Sequence, residues 1–357
     1  MFENTITLAN GVTVPQLALG TWLIDNNKAA DAVKAAINIG YRHIDTAQAY
    51  MNEAGVGEGI RKCGVSRDEI FVTTKVAAEH KDYKSAMDGI DGSLKEMGLD
   101  YIDMMIIHSP QPWVKVNQSD DRDFEGNLEA WRALSDAYKA GKLRAIGVSN
   151  FLKEDIDNIW NHADVKPMVN QVLCHISNTP LDLIKYCQDK GIVMEAYSPV
   201  AHGEALKNEQ IIKMAEKYGV SVPQLCIRYD IQLGMIVLPK TANPNHMRSN
   251  ADVDFVISDE DMEILKNVEH IKDYGEHGFF LPQTDGNVPM NQTFRCLSHA
   301  TLRRSPFCPT KKSGMFMCRL SLSRRTCGVW NGRHTRKSRN GFRGVRIQGS
   351  VTLYRAG

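Results

Sequence analysis

Four ionisable side chains stand at or just beyond the ends of short apolar runs in the first third of the chain. Asp45 closes RHID, Lys75 closes IFVTTK, His108 closes IDMMIIH, and Tyr50 follows Asp45 by five residues. Taken singly, each could be a solvated strand end or a helix cap. Taken together, they are the types a proton-transfer site requires. A tyrosine hydroxyl has an ordinary pKa of about 10, too high for efficient proton exchange near neutrality. A nearby lysine ammonium favours the phenolate and lowers that value, and a buried aspartate holds the lysine charged and oriented. A neutral imidazole can hydrogen-bond a carbonyl oxygen and fix the face it presents. The group suits protonation of a carbonyl oxygen as hydride arrives at the carbon.

Such residues need a scaffold that brings strand ends together. The nearly continuous apolar runs at 17–20, 42–45, 70–75, 102–108, 144–149, 168–172, 192–198 and 235–240 predict strands. Runs of this kind are expected of parallel strands covered on both faces. Helical patterns lie near 26–39, 52–62, 82–98, 124–140, 152–160, 180–190, 207–218 and 244–250. Eight strand–helix alternations over about 240 residues predict an α/β fold, a (β/α)8 TIM barrel, whose chemistry sits at the C-terminal strand ends. A doubly wound sheet would carry GxGxxG after its first strand, and here that turn reads LALGTWLIDN. Before the barrel, ITLANGVTV predicts a hairpin with a type I′ turn at Asn10-Gly11. Helical stretches near 221–233 and 258–268 fall outside the alternation and are expected to pack outside the barrel.

The composition, 43% hydrophobic and 24% charged over 357 residues, is that of a globular protein. The net charge of +1 conceals an asymmetry, because Asn291 to Gly357 holds 15 Lys or Arg and no acidic residue. Two regions are therefore expected: a barrel over 1–285 and a basic, Cys-containing tail over 286–357. The tail is expected to be disordered and dispensable. It reads either as translation in a wrong frame or past a lost stop, or as an arm for nucleic acid, and the first reading is preferred. The opening residues lack the basic and apolar regions of a signal peptide, and no apolar run could span a bilayer. The eight cysteines show neither a disulfide framework nor zinc spacing. A cytoplasmic location, no metal and no membrane partner are expected.

Several longer motifs resemble the aldo-keto reductase family over roughly residues 5–280, with the bacterial 2,5-diketo-D-gluconate reductase-like members as the nearest type. GYRHIDTAQAYMNEAGVG (40–57) and KLRAIGVSNF (142–151) resemble its first and second signatures. FVTTK, GLDYIDMMIIH, VNQ and EAYSP resemble its third, fourth, sixth and seventh strands. The resemblance implies that Tyr50 is the general acid, tuned by Lys75 and Asp45, while His108 orients the carbonyl. It also implies a nicotinamide cofactor held by Ser149, Asn150 and Gln171, with Tyr197 stacked on its ring and Ser198 beside it.

LPKTANPNHMRSN (238–250) resembles the third signature, implying that Lys240, Thr241 and Asn250 serve the 2′-phosphate end. His246 stands where the family usually has a phosphate-pairing arginine. Arg248 comes two residues later, turned well away around a helix. Histidine is only a part-time cation near neutrality, so NADPH is expected with a reduced margin and NADH as a possible substitute. Trp22 and Trp113 are expected to line the substrate pocket with His108, and Phe279 and Phe280 to close it. Ser109, where the family commonly has tryptophan, predicts a smaller, more polar wall. Small polar aldehydes or keto sugars are then the expected substrates of a monomeric enzyme. The alternatives are a catalytically silent, cofactor-binding barrel acting as a regulatory subunit, and a nucleic-acid-binding protein, which rests on the tail alone.

Overall fold

The computed structural model describes residues 1–116 and 118–274. The N-terminal hairpin pairs β1 (Thr5–Thr7) with β2 (Thr13–Pro15) in antiparallel register, Ile6 opposite Val14. Its turn differs from the expected type I′. Gly11 N–H donates to Leu8 O, Leu8 N–H donates to Val12 O, and of the pair only Gly11 has a positive φ, +84°. This is a three-residue loop ending in a left-handed glycine, a common hairpin alternative. Asn10 is thereby released to donate from its side chain to Arg144 O at 2.9 Å.

Eight parallel strands follow, each hydrogen-bonded to the next in chain order. They are β3 (Leu19–Gly20), β4 (His43–Asp45), β5 (Phe71–Val76), β6 (Ile102–Ile107), β7 (Leu143–Ser149), β8 (Val169–Leu173), β9 (Val193–Tyr197) and β10 (Ile236–Leu238). Bridges from Leu17 to Val237 and from Gly20 to Lys240 join the two ends. Ala18 N–H donates to Val237 O at 3.0 Å, and Val237 N–H to Gln16 O at 2.8 Å. The sheet closes into the expected (β/α)8 barrel. Closure brings the chains near enough that a Cβ on Gly20 would lie 3.2 Å from Leu238 O.

Helices α1 (Asn26–Ile39), α2 (Glu53–Arg61), α3 (Tyr83–Met97), α4 (Phe124–Lys139), α5 (Lys153–His162) and α6 (Leu181–Asp189) alternate with the strands. Their limits follow local chemistry. In α3 the Asp82 carboxylate accepts from Ser85 N–H, and Gly98 ends the helix with φ +62°, the left-handed stop glycine adopts without strain. Ala86, Ile90 and Met97 then face inward, at the spacing of a helix with one apolar side.

Between β9 and β10 lie both α7 (Glu209–Tyr218) and α8 (Val222–Gln232), and the expected assignment is reversed. Ile227 and Ile231 of α8 belong to the barrel core, so α8 is the covering helix before β10. Ile211, Met214 and Ala215 of α7 pack in a separate apolar cluster with Met262 and Leu265 of α10 (Asp259–Lys266). The α8 helix is apolar on two sides, since Leu225, Cys226 and Tyr229 join that second cluster. A single amphipathic period could not show this. Helix α9 (Pro244–Ala251) follows β10. Among the described residues no helix is long and apolar enough to cross a membrane, and no three His, Cys, Asp or Glu side chains gather as a metal site.

Candidate active site

The C-terminal mouth of the barrel collects the four residues first singled out. Lys75, near the end of β5, is fully buried, and Asp45, at the end of β4, is 3% exposed. The Lys75 ammonium donates to both carboxylate oxygens of Asp45, at 2.7 and 2.8 Å, and to Thr46 O at 2.8 Å. Every oxygen and hydrogen that this pair removes from water thus finds a partner, a condition for tolerating buried charge. Burial works against the charge on Lys75, but Asp45 and Tyr50 overcome it and raise the ammonium above its ordinary value.

Tyr50 ends a single 3₁₀ turn, Gln48–Tyr50, after which Met51 takes a left-handed φ of +55°. The Gln48 amide pins this turn, donating to Gly89 O and Ser93 Oγ and accepting from Ala77 N–H. Lys75 Nζ lies 5.0 Å from the centre of the Tyr50 ring. Burial nevertheless dominates and raises the phenol, with Lys75 pulling in the opposite direction. The net direction is opposite to the expected lowering, because a buried phenolate loses hydration.

His108, just past β6, faces Tyr50 edge-on at 5.6 Å between ring centres and Trp113 at 4.9 Å. Burial and then the Lys75 charge push its imidazole well below the usual histidine range, so it is neutral. Its Nδ1 is buried without a hydrogen-bond partner among the described residues.

Beside these groups opens a cavity of about 500 Å³, within the range of small-molecule sites. Asp45, Tyr50, His108, Trp22 and Trp113 line it, as do Ser149, Asn150, Gln171, Tyr197, Ser198 and Lys240. Most residues expected to hold a cofactor therefore share one wall system with Asp45, Tyr50 and His108. They are also mutually fixed. Ser149 Oγ donates to Gln171 O, Asn150 Nδ2 donates to His108 O, and the Tyr197 hydroxyl donates to Asn150 Oδ1 at 2.9 Å. Asn150 and Ser198 adopt left-handed φ values of +62° and +54°, uncommon for non-glycine residues.

Thr241, His246 and Asn250 lie outside the cavity lining. Thr241 Oγ1 accepts from Asn243 N–H, and Asn243 in turn caps α9. His246 is exposed on the first turn of α9. Arg248 faces a different groove, beside Met1, Phe2 and Asp254, consistent with the rotation expected two residues along a helix.

Ser109 does not form the polar wall expected of it. Its side chain is buried, its Oγ accepts from Gln111 N–H, and its carbonyl accepts from Lys81 Nζ. The serine fastens its own turn, and Trp113 occupies the cavity side. Phe279 and Phe280 lie outside the described residues. Two residues next to these groups were not singled out from the sequence. Glu195, inside β9, receives a hydrogen bond from Gln171, and as one carboxylate in an apolar strand it carried a weak signal. His202 lines the cavity with its ring 5.4 Å from that of Trp22, in a segment whose left-handed Ala201 and His202 no local sequence rule announces.

A sequence model described as the Aldo/keto reductase family matches residues 16–270. A glyoxal reductase of Bacillus subtilis is 42% identical over 263 residues, covering 73% of this chain and 91% of that protein. An aldehyde reductase of Saccharomyces cerevisiae is 36% identical, covering 75% and 91% respectively. Among solved structures, a Bombyx mori aldo-keto reductase in complex with NADP aligns with a TM-score of 0.66 at 33% identity, over 74% of this chain and 92% of that one. With the closed barrel and the buried lysine–aspartate pair at its mouth, these similarities place the chain in the aldo/keto reductase family.

Proposed function

We propose that the protein reduces aldehydes or ketones to alcohols with NADPH, using Tyr50 as the general acid. The observation that carries this reading is the buried Lys75–Asp45 pair beneath Tyr50, with neutral His108 beside it on the same cavity. The burial that raises Tyr50 keeps its hydroxyl protonated at neutral pH. A carbonyl oxygen between Tyr50 and His108 accepts two hydrogen bonds, one from the phenol and one from Nε2–H. That tautomer leaves His108 Nδ1 a bare acceptor rather than a buried, unpaired donor. As the carbonyl carbon gains a hydride, charge grows on the oxygen, the Tyr50 O–H bond breaks and a new O–H bond completes the alcohol. Lys75 holds the resulting phenolate by proximity, and Asp45 holds Lys75.

The residues present fit a nicotinamide cofactor. Both N–H bonds of the Gln171 amide are committed to carboxyl groups, leaving its carbonyl oxygen to accept from a carboxamide. Ser149 and Asn150 add polar contacts, and the Tyr197 ring offers a stacking face beside Ser198. When bound, the cofactor supplies the hydride. Lys240 and Thr241, with Asn250, would serve the 2′-phosphate end, and His246 makes the preference over NADH a modest one.

Small polar carbonyl compounds such as dialdehydes and keto sugars are the proposed substrates, in the manner of 2,5-diketo-D-gluconate reductase-like proteins. Similarity to a glyoxal reductase supports this, whereas Ser109, buried in its own turn, lends it no support. The direct test follows NADPH absorbance with a panel of aldehydes, using Tyr50→Phe as control. Loss of the general acid should lower kcat by roughly 10²–10⁴-fold with NADPH binding retained. An unchanged kcat removes Tyr50 from the role. No turnover of any carbonyl by the wild-type chain removes the reductase reading and leaves the silent barrel.

A further inference from the structure

We infer that Glu195 acts as a neutral carboxylic acid that positions the Gln171 amide, and through it Asp45, for proton transfer at Tyr50. The inference rests on the reductase reading and extends its machinery one residue deeper into the barrel.

Glu195 is fully buried in β9, in register with Gln171 of β8 on one side and Ile236 of β10 on the other. Gln171 Nε2 lies 2.8 Å from Glu195 Oε2 and 3.0 Å from Asp45 Oδ2. One amide nitrogen therefore bridges two carboxyl groups. They are not equivalent. Asp45 also accepts from the Lys75 ammonium on both oxygens, so its charge is compensated. Glu195 has that single neutral donor, and its Oε1 is buried with no partner among the described residues. An ionised carboxylate so placed would be an uncompensated buried charge next to another of the same sign, whereas a proton on Oε1 removes it.

The surroundings agree. Burial pushes the Glu195 carboxyl up to about 8; the Gln171 hydrogen bond pulls it down, the Asp45 charge raises it in turn, and Lys75 lowers it least. Asp45 from β4 and Lys75 from β5 are the charged groups that act on it. Of the other strand groups, His43 is held neutral by burial, and Asp103 pairs with Arg67 and Arg144. Strands β3 and β10 carry no ionisable residue, and β8 contributes the uncharged Gln171.

The consequence is a site whose net charge depends on pH. While Glu195 is neutral, Lys75 balances one carboxylate and retains its effect on Tyr50. Once Glu195 ionises, a second negative charge opposes the phenolate that forms at Tyr50 during reduction. The reaction should slow on the alkaline side for a reason located one strand away from the reacting atoms.

The test compares wild type, Glu195→Gln and Glu195→Leu over pH 6 to 10, with NADPH binding and melting temperature as folding controls. Glutamine keeps a neutral acceptor at the same place, so kcat/KM near pH 6.5 should stay within about threefold of wild type. The wild-type alkaline limb near pH 8 should vanish or move up by a unit or more in that variant. Leucine leaves a Gln171 N–H unpaired, and kcat should fall about tenfold or more, beyond any loss in the glutamine variant. Independently of turnover, the wild-type infrared spectrum should contain a protonated carboxylic acid band at neutral pH that titrates near 8 and is absent in Glu195→Gln. An alkaline limb unchanged in Glu195→Gln overturns the inference. So does a tenfold loss in that variant near pH 6.5, or the absence of the infrared band. A folded wild-type chain that reduces no carbonyl overturns the reductase reading by itself, while the infrared difference between wild type and Glu195→Gln bears on Glu195 alone.

Discussion

Lys75 shows why the site is better described by its partners than by its charge. A fully buried ammonium is costly to place, yet three acceptors within 2.8 Å meet its three donors and hold it charged. Glu195, lacking comparable partners, takes the other solution and stays neutral. That difference gives a stability prediction. Its carboxyl is raised from an ordinary 4.5 to about 8, so between those values the folded state binds a proton that the unfolded state has released. Stability from this group is therefore present below about pH 4.5 and declines as pH rises to about 8. Glu195→Gln removes the decline. Relative to wild type, its unfolding free energy should increase with pH over this window, by at most about 1.4 kcal/mol per unit. Urea unfolding at pH 5.5 and 8.5 measures this; a difference that does not grow contradicts the assignment.

At the scale of elements, the strand ends supply the proposed proton-transfer group and the segments after them supply the rest. The 3₁₀ turn 48–50 is held by Gln48 across to Gly89 and Ala77, so the Tyr50 position depends on α3 and β5 as much as on β4. In the proposed reading, helix α9 bears on cofactor choice. His246 sits exposed on its first turn, while Arg248 is turned to another groove. Replacing His246 by Arg puts a permanent, bidentate cation in that direction. KM for NADPH should fall roughly tenfold, the size of one charge-assisted hydrogen bond, with KM for NADH nearly unchanged. Parallel KM measurements with both cofactors check it, and equal shifts for the two would show that the gain lies elsewhere than the 2′-phosphate.

For the whole molecule, we propose that the chemistry belongs to the residues before the basic stretch that starts at Asn291, and that this stretch is dispensable. Among the described residues the cavity lining runs from Gly20 to Lys240, and the family match ends at residue 270. A chain ending at Asn291 should retain kcat/KM within about twofold of full length, since a basic segment without acidic residues or an amphipathic period has the composition of one that packs into no core. Steady-state assays of the two chains decide it, and a tenfold loss would give the tail a part in the site. The architecture itself was legible. Each strand was placed within a few residues because two-sided burial makes parallel strands uniformly apolar. The α7 and α8 assignments were exchanged because both look amphipathic, and only contact with β10 or with α10 distinguishes them. The hairpin turn was misjudged because Asn-Gly serves both loop lengths, and the hydrogen bonds of Leu8 choose between them.

The sequence by itself determined the alternation of strands and helices, the closure it implies, and Asp45, Tyr50, Lys75 and His108 as one group. Residue type at a strand end carries that information locally. Tertiary structure decided what the residues do to each other. It reversed the expected shift at Tyr50, because burial outweighs the nearby ammonium. It turned Ser109 into a turn fastener. It brought Glu195 within reach of Asp45 through one amide, although 150 residues separate them in the chain. Depth and long-range pairing are properties of the closed barrel, and no window of sequence contains them.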